Sequence, residues 1–313
     1  MDKDKNNFRI NTLNYELYFE NGVLAERRKK MCIKPFEDLN KYIYAIKDLD
    51  NSAESDNLRS DIIWQLWWQG EVDMPNLVRT CTESVKNNNE NYDVILIHEE
   101  NYKDYIVIPD YIIEKFENGI IPIAQFSDII RLMLLEKYGG LWLDSTILQT
   151  GKLPEETFTQ SFFTYKNPFG LCFEKVRNFK DLEIMCNYFN RPIMLPATWF
   201  ISSAPNHIII SGWLKLLLEY WKHENALTDY FIMDYFFTLL LLNNQRCRDI
   251  YLKMPAYLTS NADVLQSVMP EEYNLETFEA IKSFSPIHKL TLNYIPDDSV
   301  SNRFYNKIIS PGR

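Results

Sequence analysis

The order of apolar and polar positions predicts alternating strands and helices from residue 61 onward. Ile62–Trp67 is a short, mostly apolar run, which predicts a buried strand. Asn76–Lys86 carries apolar residues at helical spacing behind Pro75, and Tyr92–His98 is apolar again. A strand, a helix and a second strand in this order are typical of a βαβ unit, so we expect an α/β fold that contains a parallel sheet.

The most regular part of the pattern is a helix, a turn and a strand between residues 125 and 146. The first half is apolar on most of its faces, which predicts a helix buried between layers. Gly139–Gly140 ends this helix, because glycine tolerates the positive φ common at helix termini. Leu141–Leu143 is then predicted as a buried strand. Asp144 follows at the carboxyl end of this strand, the edge at which open α/β sheets bind ligands.

Two charged residues interrupt the apolar surface of the predicted helix. Asp128 and Arg131 are three positions apart, so their side chains project from one face about one turn apart. With Asp144 they form a charged cluster at one rim of the predicted sheet. One interpretation is a buried ion pair that only fixes the packing, and the other is a ligand-binding site.

The second half of the chain predicts further strands and two long helices. The strands are residues 162–165 and 197–202, and the helices are His207–His223 and Leu227–Leu242. Asp229 fits a capping or first-turn position at the start of the second long helix. Asp234 would lie inside this largely apolar helix, and a buried carboxylate is costly unless it is paired or used for function.

The first 60 residues are polar and are predicted as a helical extension, with two or three helices packed on the outside of a main domain, 61–313. Helical periodicity is present at Leu13–Phe19 and Phe36–Leu49. Arg27–Lys30 is a basic run, which is typical of a solvated helix face but could also contact an anionic membrane surface.

Composition and charge exclude several classes of function. The chain has 313 residues and a net charge of −10, and an acidic surface argues against a nucleic-acid partner. The five scattered cysteines have no metal-binding spacing and predict reduced, buried thiols. The polar start lacks a signal-peptide pattern, and Tyr230–Leu242, the longest apolar stretch, is too short to span a membrane. We therefore expect a cytoplasmic protein.

The block Ser127-Asp128-x-x-Arg131, then Tyr138-Gly-Gly, then an apolar strand ending in Asp144 resembles the donor-sugar signature of glycosyltransferase family 32. The similarity is greatest to the capsular polysaccharide synthesis branch. The segment Ser285 to Thr291 also resembles the closing segment of sequences in that branch. The resemblance implies a GT-A-type, Rossmann-like domain that uses a nucleotide sugar. One position departs from the Asp-x-Asp motif, since Thr146 stands at the second carboxylate.

The same resemblance implies roles for individual residues. Trp67, with Gln69 in the turn behind it, corresponds to the aromatic residue that stacks on uracil. Asp128 and Arg131 position the hexose, and Asp234 is a further candidate for the catalytic site. The residues implied for the metal and the diphosphate are Asp144, His288 and Lys289. With Thr146 in place of an acid, we expect Mn²⁺ or Mg²⁺ to be held weakly, with help from the substrate phosphates.

The expected function is a retaining, α-linkage-forming transfer of galactose or glucose from a UDP-sugar. The expected acceptor is a lipid-pyrophosphate-linked saccharide at the inner face of the cell membrane, where a peripheral membrane contact is possible. Two alternatives remain open. One is a transferase that modifies protein side chains, and the other is a carbohydrate-binding protein with a degenerate active site, which Thr146 favours.

Overall fold

A mixed five-stranded sheet is the centre of the fold. The structure is a computed structural model that describes residues 32–49, 60–293 and 302–309. The strand order of the sheet is β2-β1-β3-β6-β5, and β4 and β7 form a separate two-stranded sheet. The strands are β1 (Ile62–Leu66), β2 (Asp93–Ile97), β3 (Gly140–Leu143), β4 (Ile147–Gln149), β5 (Phe162–Lys166), β6 (Pro196–Ser203) and β7 (Ile287–Lys289).

Helices surround this sheet and make up most of the rest of the described chain. They are α1 (residues 32–39), α2 (Asn76–Asn88), α3 (Tyr102–Tyr105), α4 (Asp110–Glu117), α5 (Ile123–Tyr138), α6 (Glu156–Thr159), α7 (Phe179–Phe189), α8 (Ile208–His223), α9 (Ile232–Asn243), α10 (Gln245–Lys253), α11 (Thr259–Val268), α12 (Leu275–Phe284) and α13 (Phe304–Ile309). In the same described ranges, three short 3₁₀ helices cover Asn40–Ile46, Pro168–Leu171 and Phe173–Lys175.

The direction of the strands changes across the sheet. β1 pairs in parallel with β2 and with β3, which confirms the predicted parallel βαβ unit and the α/β class. β6 runs antiparallel to both β3 and β5. Periodicity predicted these last two strands without giving their direction, because an apolar run does not encode the orientation of its neighbour.

Helix α5 is fixed between the sheet and a helical layer, as its apolar pattern predicts. It packs on β3 and on α8, while α8 also contacts α9 and the 3₁₀ helix Asn40–Ile46. Helix α9 is buried along nearly its whole length, from Ile232 to Leu241. These helices and the sheet share one large apolar core.

The segment 32–49 belongs to this core, so it does not form a separate hydrophobic unit. The Phe36 ring lies 5.0 Å from that of Tyr235, edge to face, and Leu49 is fully buried. The predicted helical region Phe36–Leu49 is confirmed as α1 followed by the 3₁₀ helix. The predicted helix at Leu13–Phe19 and the basic run Arg27–Lys30 lie outside the described residues.

A second, smaller apolar cluster supports the two-stranded sheet. It joins residues of α2 and β4 to residues of α11, α12 and α13, and Trp67 and Leu96 pack against it. β4 and β7 pair antiparallel, with Ile147 opposite Lys289. The final part of the described chain is thereby attached beside the strand that follows Asp144.

Two predictions differ from the structure. Helix α9 begins at Ile232, not near Leu227, because the preceding loop has its own hydrogen bonds: the Thr228 amide donates to the Tyr220 hydroxyl at 2.8 Å, and the Phe231 amide donates to Asp229 Oδ1 at 2.9 Å. Of the cysteines, Cys172 is exposed whereas the other four are buried.

Within the described ranges, no helix is both long enough and apolar enough to cross a membrane.

We expect Gly140→Ala to destabilise the fold by roughly 2–4 kcal/mol, because strain and collision add at this site. Gly140 has a φ of 93°, and a Cβ there would lie 2.5 Å from the Ile62 carbonyl oxygen in the neighbouring strand. Gly119→Ala is the matched control, since Gly119 has a φ of 70° and an added Cβ would meet nothing within 4 Å. Denaturant unfolding should show a smaller loss for the control, and equal losses would contradict the predicted collision.

Candidate functional site

A cavity of about 410 Å³ opens at the carboxyl ends of β1 and β3. It lies where the sheet prediction placed the ligand site, beside the strand-end carboxylate. Helix α5, the start of α9, the first residues of β6 and the end of β7 complete its walls. The residues that line it are Leu66, Trp67, Ala124, Gln125, Ser127, Asp128, Arg131, Trp142, Asp144, Ser145, Thr146, Thr198, Tyr230, Phe231, Met233, Asp234, Lys289 and Leu292.

Asp144 is the centre of the hydrogen-bond network in the cavity. Its backbone amide donates to the Trp199 carbonyl at 3.0 Å, which fixes the residue at the end of the sheet. Carboxylate Oδ1 accepts from Arg131 Nη2 at 3.1 Å and from the Trp142 indole at 2.9 Å, and Oδ2 accepts from Lys289 Nζ at 2.7 Å. Both carboxylate oxygens are therefore held by positively charged donors.

Arg131 is held from several sides at once. Its Nη1 donates to the Thr198 carbonyl at 2.7 Å and lies 3.3 Å from Asp128 Oδ1. The guanidinium carbon sits 4.7 Å from the centre of the Trp142 ring, within the range of a cation–π contact. Asp128 and Arg131 therefore form an ion pair, as one of the two interpretations of the sequence required. Because it borders a cavity, the pair is also within reach of a ligand.

Lys289 reaches the cavity from the far end of the chain. The pairing of β7 with β4 places it opposite Ile147, and the Leu290 amide donates to the Thr146 carbonyl at 3.0 Å. Its ammonium donates to Asp144 Oδ2 and, at 2.8 Å, to the Thr146 hydroxyl. The sequence predicted Lys289 at the site, and the structure places it there.

Burial and neighbouring charges give three carboxyl groups of the cavity different pKa values. Burial favours the neutral form of Asp144, but the ion pairs with Lys289 and Arg131 outweigh it and lower its pKa to about 2. Burial raises the pKa of Asp128 to about 6 although Arg131 opposes the rise. Burial and the nearby charge of Asp128 raise the pKa of Asp234 to about 8.

Asp234 is therefore a protonated acid at neutral pH. Its side chain lines the cavity near the start of α9, and the residue is 8% exposed. A neutral carboxyl can donate a hydrogen bond as well as accept one. Asp144, in contrast, stays ionised and can only accept.

The tryptophans after β1 have different surroundings. Trp67 lines the cavity, and its indole nitrogen is buried without a hydrogen-bond partner among the described residues. Trp68 packs instead on Tyr102, Phe116 and Phe126 in the core. Gln69, predicted beside the nucleotide, is exposed and does not line the cavity.

His288 does not join the site, contrary to the prediction that it ligates a metal. Neighbouring residues of a strand point to opposite faces, so Lys289 faces the cavity and His288 faces the interior. His288 is fully buried, with Nε2 2.9 Å from the Thr150 hydroxyl. Burial, with a smaller effect of Lys282, lowers its pKa to about 4.

Sequence reasoning missed several residues that line the cavity. Trp142 was assigned only to a buried strand, yet its indole donates to Asp144. Residues two positions apart along an extended chain point to the same side, so the spacing of Trp142 and Asp144 could have predicted this contact. Tyr230 and Phe231 line the cavity from the loop before α9. That loop was predicted as helix, so these positions carried no usable signal.

The arrangement suits a phosphorylated, hydroxyl-rich ligand better than a bare metal ion. Arg131 and Lys289 supply positive charge, the three acids supply acceptors and one donor, and Trp67 supplies an aromatic face. Among the residues that the structure describes, no three His, Cys, Asp or Glu side chains are grouped so that they could hold a metal. At the positions that the Asp-x-Asp motif would occupy, Asp144 supplies the single carboxylate and Thr146 a hydroxyl.

Comparison with known proteins gives one extensive match. A family model described as capsular polysaccharide synthesis protein matches residues 17–308. No curated protein sequence matches the chain. Among solved structures the chain is similar to PaToxG Glycosyltransferase, with 16% identity and a TM-score of 0.39, over 74% of this chain and 85% of that one. The family match includes all residues of the network around Asp144.

We expect Asp234→Asn to stabilise the protein at pH 8 by a few kcal/mol, since one pKa unit corresponds to about 1.4 kcal/mol. The native state keeps a proton that the unfolded chain releases above a pH of about 4. The contribution of Asp234 to wild-type stability therefore falls as the pH rises towards the native pKa of about 8. The asparagine variant should lack this part of the decline.

Denaturant unfolding at pH 5 and pH 8 measures the effect. Asp104→Asn is the control, because Asp104 is exposed in α3 and far along the chain from the cavity residues. A stability difference between wild type and Asp234→Asn that is the same at both pH values would contradict the raised pKa.

Proposed function

Because this chain belongs to the capsular polysaccharide synthesis protein family, we propose that it is a glycosyltransferase with a GT-A-type domain that acts on a nucleotide-sugar donor. The observation that carries the proposal is the joining of Asp128, Arg131, Asp144 and Lys289 in one cavity at the carboxyl edge of the sheet. Resemblance to the donor-sugar signature of glycosyltransferase family 32 also supports the assignment of these residues to a donor site.

The proposed donor is a UDP-sugar that lies along the cavity. The Trp67 ring would stack on the uracil, since an aromatic face contributes about 1–3 kcal/mol per base. Lys289 would meet the diphosphate as a point charge. Asp128 would accept hydrogen bonds from sugar hydroxyls and Arg131 would donate them, which fixes the hexose between α5 and the end of β3.

The proposed reaction exchanges one bond at the anomeric carbon. The bond from that carbon to the β-phosphate oxygen breaks, and a bond to an acceptor hydroxyl oxygen forms. UDP leaves with the electron pair of the broken bond, and its phosphate takes the acceptor proton, so no separate protein base is required. We propose that the transfer retains the anomeric configuration and forms an α-linkage. Asp234, as a neutral acid, would donate a hydrogen bond to a substrate oxygen.

Galactose or glucose is the proposed hexose. The proposed acceptor is a lipid-pyrophosphate-linked saccharide at the inner face of the cell membrane. Tyr230 and Phe231 at the cavity mouth support a carbohydrate acceptor, since they are 63% and 44% exposed and aromatic faces suit sugar rings.

The donor set does not form a metal site by itself. Mn²⁺ and Mg²⁺ prefer several hard oxygen ligands, but Asp144 is already held by Arg131 and Lys289, and His288 faces the interior. A divalent ion that enters with the diphosphate would have to compete with Lys289 for Asp144.

A second candidate function is carbohydrate or nucleotide binding without catalysis. Thr146 favours it, because its hydroxyl replaces the second acid of the motif and is already hydrogen-bonded to Lys289. Hydrolysis of UDP-sugars distinguishes the two candidates. An enzyme releases UDP and free hexose slowly even without acceptor, whereas a binding protein releases none.

We expect Asp144→Asn to lower transfer and donor hydrolysis by about 100-fold or more, because it removes the charge that positions Lys289 and Arg131. The asparagine amide oxygen can still accept from the Trp142 indole, so the fold should persist. Release of UDP from UDP-galactose and UDP-glucose is the measurement, with circular dichroism to check folding.

Asp104→Asn is the matched acid-to-amide control and should keep wild-type turnover. If Asp144→Asn also keeps near-normal turnover, the donor site is assigned to the wrong residues.

A further inference from the structure

A departing nucleoside diphosphate requires local positive charge. The phosphates of such a donor carry several negative charges, and the protein itself has a net charge of −10. Attraction by the overall field of the protein is therefore unavailable, and the compensation has to come from the cavity. Two side chains with a fixed positive charge line it, Arg131 and Lys289.

Most hydrogen-bond donors of Arg131 are already used by contacts within the protein. Its terminal nitrogens meet Asp128, Asp144 and the Thr198 carbonyl. Its Nε is buried without a partner among the described residues. Arg131 can therefore contribute charge, but its hydrogen-bonding capacity towards a diphosphate is small.

Lys289, in contrast, still has a hydrogen-bond donor available to a ligand. Its side chain is 27% exposed. An ammonium has three donors, and in the described structure Asp144 and Thr146 accept two of them. One donor is left for a phosphate oxygen. The position of Lys289 is fixed by backbone pairing on both sides, at Ile147 opposite it and at Leu290 next to it.

The ammonium contacts the two residues that would otherwise hold a metal. The two outer positions of the Asp-x-Asp motif are occupied here by Asp144 and Thr146. Nζ lies 2.7 Å from the first and 2.8 Å from the second. A threonine hydroxyl is a suitable acceptor for an ammonium but a weak replacement for a carboxylate at a divalent ion.

The other acids of the cavity do not restore a metal site. Asp128 is paired with Arg131. Asp234 lies in the first turn of α9. Burial raises its pKa to about 8, which makes it a poor metal ligand near neutral pH. The donor set therefore favours a bound ammonium over a divalent ion.

We propose, on the basis of the donor site proposed above, that Lys289 replaces the divalent cation and that the protein binds its nucleoside-diphosphate donor without a metal. The Lys289 ammonium bridges Asp144, Thr146 and a phosphate oxygen. It compensates the charge that the phosphate gains when the bond to the sugar breaks.

Calorimetric titration with UDP tests this, using the full-length protein in EDTA and again in Mn²⁺. We expect wild-type affinity to agree within about twofold between the two conditions, because Mn²⁺ gains no free carboxylate. Lys289→Met should weaken binding in EDTA by about tenfold or more, since it removes a charge-assisted hydrogen bond. In that variant Mn²⁺ should strengthen binding, because Asp144 Oδ2 has become available.

Lys307→Met is the matched control. Lys307 is an exposed lysine of α13 outside the cavity, so the variant removes the same charge from the protein and should bind UDP like wild type. A paramagnetic resonance titration of Mn²⁺ against the protein without UDP adds an independent readout. The signal of free Mn²⁺ should persist with wild type.

Two results would overturn the proposal, and they differ. If wild type binds UDP only in the presence of Mn²⁺, or at least tenfold more tightly with it, Lys289 does not replace the metal although the donor site stands. If wild type binds UDP under neither condition, the donor site itself is wrong and the role of Lys289 is lost with it.

Discussion

The arrangement of the site depends on the Asp144 carboxylate, which is shared by the side chains of Arg131 and Lys289. Asp144 accepts from Arg131 on one oxygen and from Lys289 on the other. Ion pairs that are shielded from water are sensitive to the loss of either partner, since the remaining charge is costly to keep there. This requirement connects helix α5, the end of β3 and the end of β7. Each of these elements is in turn held by ordinary apolar packing or strand pairing.

Much of the fold was predictable because its signals are local. Strand β1, helix α2, strand β2 and the unit from α5 to β3 follow from apolar spacing and from the two glycines at the turn. The antiparallel direction of β5 and β6 was not predictable, because it depends on which strands meet across the sheet. The early part of α9 was predicted wrongly, since hydrogen bonds of the Tyr220 side chain to the loop outweigh its helical pattern.

The site was predictable to the extent that its residues lie in a compact motif. Asp128, Arg131 and Asp144 lie within one helix–turn–strand unit, so periodicity alone brings them together. Lys289 and Asp234 come from distant segments. Lys289 was predicted from the family resemblance, and Asp234 from the cost of a carboxylate inside an apolar helix. His288 shows the limit of such reasoning. It is adjacent to a residue of the site in sequence, yet the alternation of a strand turns it to the other face.

The pairing of β7 with β4 also bears on the order in which the protein matures. Asp144 and Lys289 are separated by 145 positions in the chain. A ribosome therefore completes the sheet, α5 and the strand-end carboxylate well before the lysine emerges. Until then Asp144 has Arg131 as its only cationic partner from the described network, and the cavity lacks the wall that the end of β7 supplies. A chain that has not yet reached residue 289 would therefore carry Asp128, Arg131 and Asp144 without a finished cavity.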